Sequence, residues 1–256
     1  MLEGLLANIQ SLSSQGLKCL VVFDLDSTLF DVSPRLERIL LDFAEEPEFQ
    51  KKFPEQVALF KNIKTLHTDW GITGALKRAG LDGHHPEFQE AVTDYWHSRF
   101  FSSHYLQFDR PTEGAVEFVS AVARAHADIV YLTGRDVQRM GVGSEDVLRK
   151  WGLPLNEKAR LVLKPHKSLD DADFKTDWFV DARKHSYEKI YFFENEPVIL
   201  QLTATKCPDV ESIFFDSTHS GKALPPENLP RIVNFLLSQS PSHMRASDRS
   251  DNSEES

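Results

Sequence analysis

The chain has 256 residues, 41% of them hydrophobic, and a formal net charge of −10 at pH 7. That length suffices for a sizeable core plus an insertion, and an acidic body excludes the basic face that a nucleic-acid partner requires. Two cysteines, Cys19 and Cys207, give no disulfide framework, so a reducing, cytoplasmic setting is expected.

No apolar run reaches membrane-spanning length, and residues 1–9 carry Glu3 where a signal peptide would be basic, so no membrane association is expected. Residues 19–23, Cys-Leu-Val-Val-Phe, read as a fully buried strand of a parallel sheet. The run stops at Asp24-Leu25-Asp26-Ser27-Thr28, two carboxylates two residues apart at a strand's carboxyl end, where α/β proteins bind ligands. From 31 to 107 the pattern turns helical. Ser33-Pro34 reads as an N-cap followed by proline at the first helical position, and Leu36, Ile39, Leu40 and Phe43 follow at helical spacing. Val57, Leu59 and Phe60 mark a second piece, 72–79 a third ending at Gly80, and His85-Pro86 opens a fourth. Its stripe of Phe88, Val92, Tyr95, Trp96 and Phe100 reads as core, and His84-His85 as a solvated turn.

Strand–helix alternation resumes at Arg110-Pro111. A helix is expected over 113–124 and a strand over 128–132, ending in Thr133-Gly134-Arg135-Asp136. A helix over 147–151 and a short strand over 161–163, followed by Lys164, come next. Then come a helix over 174–185 with Lys175 near its start, and a strand over 189–193 ending in Glu194-Asn195-Glu196-Pro197. A helix over 198–204, a strand over 212–215 and a final helix over 229–237 complete the body. Such alternation implies βαβ units and a parallel sheet flanked by helices, a Rossmann-like α/β fold. The expected division is an α/β core of 1–30 and 108–238, an all-helical cap of 31–107 inserted after the first strand, and a tail of 239–256. That tail is Ser-, Asp-, Glu- and Arg-rich without an apolar period, and is expected to be disordered.

Three strand ends therefore carry polar groups of one kind: Asp24 and Asp26, Thr133, and Glu194 with Glu196. Close carboxylates plus a third from another strand suit Mg²⁺, which takes one or two protein carboxylates and a phosphate. An ionised aspartate beside such a cation can attack phosphorus. A hydroxyl (Thr133) and an ammonium (Lys175) would hold the phosphoryl oxygens, and the second acid, Asp26, would move the proton.

At these residues the chain resembles the haloacid dehalogenase (HAD) superfamily of phosphotransferases, over roughly 17–216. The first family motif, Asp-x-Asp-x-Thr after an apolar strand, is matched by Asp24, Asp26 and Thr28, with Ser27 where glycine is commoner; the second is matched by Thr133. The resemblance implies that Asp24 is the nucleophile and Asp26 the general acid/base. It further implies metal ligation by the Asp24 side chain, the Asp26 backbone carbonyl and an acid of the fourth motif. There the family's Asp pair is replaced by Glu194-Asn195-Glu196, and either glutamate can complete the shell, Glu194 being favoured by its place directly after the apolar run. The family lysine is Lys175 or Lys164, the spacing to Glu194 favouring Lys175. A cap in this position implies a small phosphorylated metabolite as substrate, with Ser27, Thr28, Gly134, Arg135 and Arg99 as candidate contacts. The expected activity is a Mg²⁺-dependent phosphohydrolase working through an aspartyl-phosphate; a catalytically weak phospho-ligand-binding protein is the alternative. The chain carries no signal for an oligomeric state.

Overall fold

The computed structural model describes residues 1–83 and 85–237, so the expectations for His84 and for the 239–256 tail fall outside it. In chain order the elements are α1 (Leu2–Ser14), β1 (Cys19–Phe23), β2 (Phe30–Asp31), α2 (Ser33–Glu45), α3 (Pro47–Lys52), α4 (Pro54–Val57) and a 3₁₀ turn (Ala58–Asn62). They continue with α5 (Thr73–Arg78), α6 (Pro86–Phe100), α7 (Ser103–Leu106), β3 (Arg110–Pro111), α8 (Ala115–Arg124), β4 (Asp128–Asp136) and α9 (Val137–Lys150). Last come β5 (Ala159–Lys164), α10 (Asp171–Ala182), β6 (Lys189–Glu194), α11 (Pro197–Lys206), β7 (Val210–Phe215) and β8 (Arg231–Ile232).

The apolar run of β1 lies inside a six-stranded sheet of order β5-β4-β1-β6-β7-β8, and every neighbouring pair is parallel. Because successive side chains of a strand face opposite ways, β1 feeds two cores. Val21 and Phe23 pack under α1 and α8 with Phe118, Phe193 and Phe235. Leu20 and Val22 pack under α10 and α11 with Phe179, Phe192 and Leu200. The chain fills the sheet to one side of β1 and then crosses to β6 on the other, so the carboxyl ends of β4, β1 and β6 surround a topological switch point.

Between β1 and β4 the chain leaves and returns through a two-residue ribbon in which Phe30 pairs with Pro111 and Asp31 with Arg110. The helices between them build their own core around Phe43, Phe60, Phe88 and Tyr95. Helix α2 begins one residue earlier than its proline suggests. The Asp31 carboxylate, not the Ser33 hydroxyl, accepts an orphan backbone N–H, that of Ser33, at 2.8 Å.

Three expected elements differ. Strand β4 runs on to Asp136 through a register irregularity between Thr133 and Asp136, so Thr133, Gly134 and Arg135 are strand residues and α9 starts directly at Val137. Helix α10 begins at Asp171, capped by the Asp170 carboxylate, which accepts the Ala172 and Asp173 N–H groups. The final helix over 229–237 does not form. Ile232, Phe235 and Leu236 have helical spacing, but Arg231–Ile232 instead join the sheet edge, with Phe214 N–H donating to Pro230 and Asp216 N–H to Ile232. Phe235 then inserts fully buried among Phe23, Phe118, Phe193 and Phe215, and its N–H donates to Glu113. Sheet pairing and one aromatic anchor thus outweigh a weak helical pattern.

Phe235→Ala is expected to lower unfolding stability by about 3–5 kcal/mol, the cost of a large core deletion. Urea denaturation measures it, and a loss below about 1 kcal/mol would show that the C-terminal segment is not integral to the core.

Candidate active site

At the end of β1 the ladder extends one residue further, Asp24 N–H donating to Phe193, before the chain turns back on itself. In that turn Ser27 adopts φ 62°, the left-handed region that glycine occupies without a Cβ penalty. The turn closes with Ser27 N–H on Phe30 and Phe30 N–H on Leu25. Thr28 is fully buried and donates its hydroxyl to Asn195 Oδ1 at 3.1 Å. Asn195 in turn donates to Thr218, tying this loop to the one after β7. Thr28 thus holds the loop and does not face the cleft.

Lys175 lies on the face of α10 that also buries Thr176 and Phe179 against the sheet. Its ammonium sits between two carboxylates, donating to Asp24 Oδ1 at 2.6 Å and to Glu194 Oε2 at 2.6 Å. All three groups are buried. Burial alone would lower the lysine pKa, but the flanking carboxylates overcome it and hold the ammonium charged. Burial pushes the Asp24 carboxyl above its usual range. Burial and then the Asp24 charge push Glu194 up to about 8, against the pull of Lys175. One cation between two desolvated anions leaves this end of the sheet short of positive charge.

The structure thus gathers Asp24, Lys175 and Glu194, with Thr133 lining the same cleft. Glu196 lines the same cleft, where its carboxylate accepts the Ser220 N–H and hydroxyl. Lys164 also lines the cleft but is ion-paired to Asp171 and donates to Leu169. Ser27, Gly134 and Arg135 border the cleft as well. At Gly134 a Cβ would lie 2.5 Å from the Asp171 carboxylate, so only glycine allows that approach. Arg99 is not brought to the site: its guanidinium stacks 3.3 Å from the Tyr95 ring centroid, where a cation gains from the ring's face.

Asp26 faces a different set of partners. Arg135 donates from Nε to its Oδ2 at 2.9 Å and from Nη2 to its Oδ1 at 2.8 Å, and Arg35 also donates to Oδ1. Both arginines also hold Asp109, Arg35 through Nε at 2.7 Å and Arg135 through Nη2 at 2.8 Å. Desolvation would raise the Asp26 pKa, but the Arg135 and Arg35 charges reverse that and hold the carboxyl well below the usual range. Arg35, Asp109 and Arg135 are almost entirely inaccessible, and the cluster joins helix α2, the return linker, β4 and the loop after β1.

Arg35 and Asp109 went unread in the sequence. Arg35 stands four residues before Ile39 on the apolar side of α2, and an arginine there is the one available signal. Asp109 has no local signal at all.

Among the described residues no three His, Cys, Asp or Glu side chains cluster at metal-ligand spacing. Two acidic side chains at one cleft floor, Asp24 and Glu194, are donors of the kind taken by a hard cation that keeps part of its water shell.

Removing one member of the four-charge cluster leaves a buried arginine under-paired. Asp109→Ala is expected to cost about 3–5 kcal/mol in urea unfolding. A near-neutral result would mean that the cluster is solvated and weak.

No family model and no curated relative matches this sequence. Solved structures do match. A HAD-superfamily hydrolase of subfamily IA from Geobacter sulfurreducens is 14% identical, with 86% of this chain and 93% of that chain covered at a TM-score of 0.50. A predicted phosphatase from Clostridium acetobutylicum is 15% identical over 77% of this chain and 84% of its own, at a TM-score of 0.45. The protein tyrosine kinase A of Mycobacterium tuberculosis is 14% identical over 83% and 92%, at 0.47. With a parallel sheet of this order and helices inserted directly after its first strand, the chain has the fold of the haloacid dehalogenase superfamily.

Proposed function

We propose that the protein is a Mg²⁺-dependent phosphohydrolase acting on a small phosphorylated molecule. The observation that carries this reading is the buried Asp24–Lys175–Glu194 arrangement at the cleft floor, beside Thr133. Fold alone would not suffice, because one fold hosts many chemistries.

Asp24 attacks phosphorus, the P–O bond to the leaving alcohol breaks, and an aspartyl-phosphate forms on its carboxylate. The Lys175 ammonium and the Thr133 hydroxyl hold the non-bridging oxygens, which is most of what phosphoryl transfer asks of a protein. Asp24, Glu194 and the Asp26 carbonyl would hold Mg²⁺, which when bound neutralises phosphoryl charge. Asp26 would protonate the leaving oxygen as the P–O bond breaks, and then take the proton of the water that cleaves the aspartyl-phosphate to Asp24 and inorganic phosphate. In either role it must first loosen its pairing with Arg35 and Arg135, which keeps its carboxyl ionised and weakly basic. That same pairing of Asp26 with two arginines favours the second reading, a phospho-ligand-binding protein with weak turnover.

Hydrolysis of 4-nitrophenyl phosphate is expected to need Mg²⁺, to stop on chelation and to recover when Mg²⁺ is restored. Asp24→Asn is expected to abolish it with the circular dichroism spectrum unchanged. No turnover by the folded wild-type protein across divalent metals and pH, with phosphate still bound, would favour the binding protein.

A further inference from the structure

The cleft of about 480 Å³ has two unlike walls. The sheet side is charged, as described. The cap side is Val32 and Leu36 at the start of α2, Trp70 in the following loops, Trp96 and Phe100 at the end of α6, and Phe101. Trp96, Phe100 and Phe101 form a continuous aromatic run, with centroids 5.8 Å and then 5.0 Å apart. Two arginines back it. The Arg35 guanidinium lies 4.4 Å from the Phe100 centroid, and that of Arg139 5.0 Å from the Phe101 centroid.

Polar function is scarce on this side. Asp69 is consumed by Arg78 and by the Leu66 N–H. The Trp96 indole N–H is buried with no acceptor among the described residues, so hydrogen bonding does not explain the ring's position. Trp70 is 58% exposed, and an indole left that bare beside a cleft contributes little to the fold. No lysine or arginine of the cap lines the cleft.

These features select among phosphate esters. A sugar's hydroxyls would lose water against this wall without replacement partners. A second phosphate would meet no cation on the cap wall, because the cleft's cations, Arg135, Lys164, Lys175 and Lys222, all come from outside the cap. A flat aromatic group meets rings suited to stacking and offset contact.

We infer that the substrate is a small phosphomonoester carrying an uncharged aromatic group, which Trp70, Trp96 and Phe100 cover while the phosphate rests by Asp24, Thr133 and Lys175. The inference rests on the phosphohydrolase reading. It assigns Trp96 and Trp70 to substrate selection, whereas their helical or loop setting alone reads as packing.

Calorimetric binding to the Asp24→Asn protein in Mg²⁺ tests it without turnover, using 1-naphthyl phosphate, methyl phosphate, glucose 6-phosphate and inorganic phosphate. Naphthyl phosphate is expected to bind at least about tenfold more tightly than methyl phosphate or glucose 6-phosphate, the range of one or two aromatic stacks. Trp96→Ala in that background is expected to remove most of this preference. Trp70→Ala, at an exposed position that leaves the fold intact, is expected to narrow it. Equal or tighter binding of glucose 6-phosphate, or an unchanged preference in both tryptophan variants, overturns the inference while inorganic phosphate binding sustains the phosphate site. Failure of every ligand in Asp24→Asn, together with failure of inorganic phosphate to bind the wild-type protein in Mg²⁺, overturns both the inference and the phosphohydrolase reading.

Discussion

The Lys175 ammonium between Asp24 and Glu194 is the contact on which the site depends. It joins α10 to the ends of β1 and β6, so the same hydrogen bonds that fasten a helix to the sheet also set two carboxylates facing one cation. Two desolvated anions around one ammonium would be poor design for stability alone, since an apolar trio of equal volume costs less to bury. On the proposed reading, the arrangement is a place for a metal cation and for a phosphoryl group that brings its own negative charge.

A second charge cluster connects that floor to the cap. Arg35 leaves the first turn of α2, crosses under Phe100 and reaches both Asp26 and Asp109. A change in the position of α2 therefore changes what holds Asp26. The cap's aromatic wall and the acid of the loop after β1 share one arginine. On the proposed reading, substrate contact at Phe100 and proton transfer at Asp26 would share this arginine.

Much of this was legible in the chain. The unbroken apolar run of β1 marked the central strand, and the spacing between Lys175 and Glu194 matched what brings them together in space. Ser27 stands where glycine is commoner, and its left-handed backbone supplies the reason. What escaped depends on pairing across long separations. Asp109 meets Arg35 over 74 positions and Arg135 over 26, and neither partner announces the other locally. Trp96 shares one helix with the core residues Phe88 and Tyr95, so periodicity could not separate a cleft wall from a packed face. The segment after β7 misled because three apolar residues at helical spacing also satisfy a sheet edge and an aromatic pocket.

The central claim is that Asp24 becomes phosphorylated. Acid quenching of the wild-type protein during turnover of an aryl phosphate, followed by peptide mass spectrometry, tests it directly. The account predicts a phosphoryl increment on the peptide containing Asp24 that is absent from Asp24→Asn; steady turnover with no such increment, or one carried by another residue, would contradict it.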